Sequence, residues 1–187
     1  LQAGGHAIAS NLHGDITLDR GKSMEQRIDL LHADGIVDLH FDMPMDLYEK
    51  RNRASVLATD FLPEFEATDV GVLGVAVYVA GRYLPATCLR VALDQISRLY
   101  AEAEGSGRFA ICKSYENILD ARKARKIALL ITMEGVEPFG TDLELLRVFC
   151  ELGVRVIGLT HARRNAAGDG GVFAPSGSSR DGLTEFG

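Results

Sequence analysis

The sequence predicts an α/β fold built on a parallel β-sheet. Three observations carry the prediction. Strand-like apolar stretches alternate with amphipathic helical stretches along the chain, the signature of βαβ units. Several of the apolar stretches are nearly continuous, as in strands buried on both faces. Three of them end in polar residues able to do chemistry, and sheets of this class build their sites at the carboxyl ends of strands.

The elements follow in order. "SMEQRIDLLHA" opens with Ser23 and has Gln26 three residues later, a capping-box pattern that starts a helix with Met24, Ile28 and Leu31 on one face. "GIVDLHFD" reads as a strand ending in His40 and Asp42. "VGVLGVAVYVA", residues 70–80, is a β-rich apolar run and a second strand. "TCLRVALDQISRLYAEAEG" is an amphipathic helix ending near Gly105, with Leu89, Leu93, Ile96 and Tyr100 as its apolar stripe. "RFAIC" is a short strand, and Ser114 caps a helix through about Arg125. "IALLITMEG", residues 127–135, is a buried strand. Thr141 and Glu144 form another capping box, ahead of a helix expected to bury Leu143, Leu146 and Cys150. "VRVIGLTHA" is a strand running to His161. The Gly- and Ser-rich residues 165–187 read as a loop and residues 1–22 as an N-terminal extension, within a single domain of 187 residues.

Composition narrows the function. Hydrophobic residues make up 47% and charged residues 25%, an ordinary globular balance. A net charge of −6 argues against a nucleic-acid partner. No apolar run approaches the roughly 20 residues of a membrane span, and no signal peptide is expected. The three cysteines are far apart and form no Cys-x-x-Cys pair, so buried, reduced thiols of a cytoplasmic protein are expected.

The polar strand ends are His40 with Asp42, Glu134, and His161. Each alone is common on ordinary surfaces. Together they point to a metal site on one rim of a sheet. Residues two apart in a strand face the same side, so His40 and Asp42 can reach one ion. Imidazole nitrogen and carboxylate oxygen are normal zinc ligands, and Glu134 could bridge to a second ion with its other oxygen.

"VDLHFDMP", "VAVYV", "ITMEGVEPFGTDLELLRVFCELGVRVIGLTH" and "GLTEFG" together resemble the membrane (renal) dipeptidase family, metallopeptidase family M19. The resemblance implies a (β/α)8 TIM-barrel metallohydrolase, of which 187 residues would be the N-terminal half, since such barrels take about 250. It implies a two-zinc site. His40 and Asp42 would hold the first ion and Glu134 would bridge both. His161 would face the substrate and steady the oxyanion, and Tyr78 would line the pocket.

The implied activity is hydrolysis of the dipeptide amide bond by a metal-bound hydroxide. The second ion's histidines and the catalytic aspartate would lie beyond Gly187. Partners would be a dipeptide and either the C-terminal half or a second copy, with no nucleic acid and no membrane. The alternatives are a related metal-dependent amidohydrolase acting on another amide, lactam or lactone, and a non-catalytic split subunit needing a complementary chain.

Overall fold

The computed structural model describes residues 21–33, 35–172 and 182–187. Most of the expected extension, up to residue 20, and residues 173–181 of the expected loop lie outside them. The chain divides into two compact units, Leu1–Ala33 and Asp34–Gly187. In the first, helix α1 spans Met24–His32, and the capping box is formed as expected. Ser23 Oγ accepts from the Gln26 N–H at 3.2 Å, and Gln26 Oε1 accepts from the Ser23 N–H at 3.0 Å.

The second unit carries the sheet. Its strands are β1 (Ile36–Phe41), β2 (Val70–Val77), β3 (Phe109–Ile111), β4 (Ile127–Glu134) and β5 (Val154–Gly158). Every pairing is parallel, β1 with β2 and β2 with β4. The other edge of β4 is shared by β3 along Ile127–Leu129 and by β5 along Ile131–Glu134. The helices are α2 (Met43–Glu49), α3 (Leu62–Ala67, entered through a π-helical turn at Leu57–Phe61), α4 (Cys88–Ser106), α5 (Tyr115–Lys123) and α6 (Glu144–Glu151).

One face of the sheet makes the main core. Leu73, Val75 and Val77 of β2 and Leu129, Ile131 and Met133 of β4 cluster with Val91, Ile96 and Leu99 of α4 and Phe149 of α6. Phe41 packs edge-on against Phe61 and Phe65, at ring distances of 6.0 and 5.3 Å. On the other face α5 covers only the lower end, where Ala121 meets Cys112 and Ala128. Elsewhere on that face Val37, Leu39 and Val156 are open to solvent, Leu39 at 74%.

Several expectations need correcting. The strand "VRVIGLTHA" ends at Gly158, so His161 stands in the following connection. The helix α6 is turned the other way: Leu143, Leu146 and Cys150 are exposed, and Leu145 and Phe149 pack inward. Its first turn is capped by Asp142, whose Oδ1 accepts from the Glu144 N–H at 3.0 Å, not by Thr141. The fully buried face of α4 is Val91, Ala92, Ile96 and Leu99, with Leu89, Leu93 and Tyr100 at its margin. Of the thiols, Cys112 alone is buried.

Candidate metal centre

The site begins with an irregularity in β1. Between the pairs Asp38–Leu73 and Phe41–Val75 the register slips. Leu39 and His40 therefore both stand opposite Gly74, the two-against-one count of a β-bulge. The Asp38 carboxylate accepts from the His40 N–H at 2.9 Å and holds the irregular backbone. The bulge aims His40 away from the helical core and toward Glu134. Gly74 makes this possible: a Cβ there would lie 2.3 Å from the Leu39 carbonyl oxygen.

Asp42 is one residue past β1, at the start of α2. The sequence argument put both ligands on one side of a strand by alternation. The structure reaches the same outcome through a bulge and a helix start. Glu134 is the last residue of β4. Beyond it the Gly135 N–H donates to the Gly158 carbonyl at 2.9 Å, so β4 and β5 stay registered past the strand. Gly135 takes φ +86°, and the Glu137 carboxylate folds against it where a side chain would stand.

These elements bring three of the expected groups together. His40 Nε2 lies 2.9 Å from Glu134 Oε2 and 3.3 Å from Asp42 Oδ1. All three ligand atoms lie within 4.8 Å of one another, a group able to hold a metal ion. The donor set fits a divalent cation. Two atoms each about 2.1 Å from one tetrahedral ion stand roughly 3.4 Å apart, close to the separations seen here. One imidazole and two carboxylates are borderline-to-hard ligands suited to zinc.

His161 joins from the other side. Its Nε2 is 3.6 Å from Glu134 Oε1, so the two oxygens of Glu134 face different partners. Glu134 is the most enclosed of the set, with its side chain 16% exposed against 64% for His161. The loop bearing His161 closes on itself, with the Gly171 N–H donating to the His161 carbonyl at 2.7 Å. Tyr78, one residue past β2, lines a small cavity of about 30 Å³ with Glu134, Glu137, His161 and Arg163. Burial first, and then the carboxylates of Asp42, Glu49 and Glu134, push the Tyr78 phenol above its ordinary pKa. It therefore stays a neutral O–H donor.

The family model for membrane dipeptidase (peptidase family M19) matches residues 24–187. The chain belongs to family M19. An uncharacterized dipeptidase of Schizosaccharomyces pombe is 29% identical over 174 residues, which cover 81% of this chain and 42% of that protein. Two solved structures match in fold. One is dipeptidase AC, a metallopeptidase of family M19, at TM-score 0.71 and 23% identity, covering 81% of this chain and 51% of its own. The other is a metallopeptidase from Rhodobacter sphaeroides bound to a phosphinate mimic of the dipeptide L-Ala-D-Ala, at TM-score 0.70 and 23% identity, covering 82% and 54%. The parallel sheet is thus the α/β fold of the TIM-barrel-like M19 dipeptidases, and the chain spans about half the length of those structures.

Sequence reasoning named the three residues that the structure brings together, His40, Asp42 and Glu134, but missed what aims them. The Asp38 support, the bulge, and Glu137 and Arg163 in the cavity wall were not anticipated. A glycine inside an apolar run is a recognised sign of a bulge or close backbone approach, and Gly74 carried that sign.

Proposed function

We propose that this chain carries the first metal half-site of a zinc-dependent dipeptidase. The observation that carries the reading is the convergence of His40, Asp42 and Glu134 within 4.8 Å, from the ends of β1 and β4. Membership of M19 supports the reaction class, and the dipeptide mimic held by the Rhodobacter sphaeroides relative supports the substrate class.

In this reading His40 and Asp42 hold the first ion. Glu134 would hold that ion with them and would be the residue able to serve a second one. Zinc, when bound, acts as a Lewis acid and lowers the pKa of water toward neutrality. His161 donates to the scissile carbonyl oxygen as negative charge develops there. Tyr78 closes one wall and offers its phenol O–H to the substrate. The exposed face of Val37, Leu39 and Val156 is where the remaining half of a barrel would pack.

The test is Glu134→Gln in the complete protein, assayed on L-Ala-D-Ala with zinc content measured in parallel. Hydrolysis should fall by more than about a hundredfold, with loss of bound zinc. Near-wild-type turnover with full zinc would sink the assignment. Faster hydrolysis of cyclic amides than of any dipeptide would shift it to another amidohydrolase reaction.

A further inference from the structure

We propose that Gln95 is a positioning residue: it fixes where Tyr78 stands over the metal site, with Arg163 holding the next peptide. The inference rests on the reading that Tyr78 faces substrate. Strand β2 ends at Val77, and the chain then leaves the sheet. The next two carbonyls are taken by side chains from distant elements. Gln95 Nε2, on α4, donates to the Tyr78 carbonyl at 2.7 Å. Arg163 Nη1, in the loop after β5, donates to the Val79 carbonyl at 3.4 Å. Arg163 also lies against Gly81, its Nη2 3.6 Å from where a Cβ would stand.

Gln95 is a costly residue for packing alone. It is completely buried on the helix face that carries Val91, Ala92, Ile96 and Leu99. Its Oε1 is buried with no hydrogen-bond partner. A leucine or methionine there would fill the core without an unmet polar atom. What the amide adds is a fixed bond to the backbone of the residue that walls the cavity beside Glu134 and His161. Arg163 fits the same role. Among the described residues it makes no ion pair, and the bond to Val79 is the hydrogen bond it makes.

Two measurements test this. In the complete zinc-loaded protein, Gln95→Met should lower kcat/KM for L-Ala-D-Ala by about tenfold, and by less than about twofold in a Tyr78→Ala background. Equal losses in both backgrounds would mean a merely structural role and overturn the proposal. The second readout does not depend on activity. In fluorotyrosine-labelled protein, the ¹⁹F signal of Tyr78, assigned with Tyr78→Phe, should shift in Gln95→Met while those of Tyr48 and Tyr115 stay put. If Gln95→Met does not fold, Arg163→Met, on the half-buried loop, must move the same signal. A Tyr78 signal unmoved in either folded variant refutes the clamp. A protein that hydrolyses no dipeptide but shows the ¹⁹F shift refutes the functional reading and leaves the clamp standing.

Discussion

Gly74 decides where His40 points. With no side chain, it admits the Leu39 carbonyl into space that a Cβ would occupy, and two residues of β1 then face one of β2. Gly74→Ala must push the strands apart or remove the bulge. We expect a loss of about 1–3 kcal/mol, the usual cost of overpacking, read from a urea midpoint. Zinc affinity measured by calorimetry should fall with it, because His40 no longer meets Glu134. An alanine variant that binds zinc as wild type would show that the bulge is not what aims the histidine. A second residue-scale case is Asp60. Arg53, then Thr59 and Lys50, hold its carboxyl well below the usual carboxylate range through bonds of 2.7 to 3.1 Å. A depressed folded pKa stabilises the fold above the unfolded value, near 4, and that contribution is lost as pH falls through the folded value. The urea midpoint of Asp60→Asn should therefore lie below wild type at pH 7, and the gap should close below about pH 4. A gap independent of pH would count against the ion pairs as its source. At this scale the candidate ligands were legible, because a polar residue ending an apolar run is visible in one dimension. Gln95 was not, since its partner is a backbone carbonyl on another element.

The strands were legible because burial on both faces leaves an unbroken apolar run in the sequence, as in Val70–Val77 and Ile127–Glu134. The helices between β1 and β2 were not anticipated. Pro44 and Pro63 each occupy the first turn of their helix, where a missing N–H costs little. The face of α6 was misread for another reason. "DLELLRVFCEL" offers apolar residues on two stripes, and nothing local says which one meets the sheet. The structure chooses Leu145 and Phe149 and leaves Leu146 42% exposed. Phe149, which also meets Phe139 at a ring distance of 5.0 Å, should therefore cost about 3–5 kcal/mol when changed to Ala. Leu146→Ala should cost about 0.5 kcal/mol or less. Comparable losses for the two, by chemical denaturation, would return α6 to the orientation first expected.

At the scale of the molecule, the candidate ligands come from the ends of β1 and β4, which β2 and β3 separate in the chain, and nothing but the parallel order β1-β2-β4 brings them to one rim. A metal that binds there ties β1 and α2 to β4, so binding and folding are linked: an ion held by the native arrangement and not by the unfolded chain raises stability as RT ln(1 + [L]/Kd). At free zinc about a hundred times the dissociation constant, the gain is roughly 2.7 kcal/mol. The thermal midpoint of the chain should rise accordingly on adding zinc and return on chelation. His40→Ala should abolish most of the rise, since it removes the single nitrogen ligand of the group. His161→Ala should preserve it, because His161 stands outside the three-ligand group and meets only the far oxygen of Glu134. The pair of variants separates a metal ligand from a substrate-facing histidine without an activity assay. A zinc shift that survives His40→Ala, or one that His161→Ala removes, would reverse the two roles.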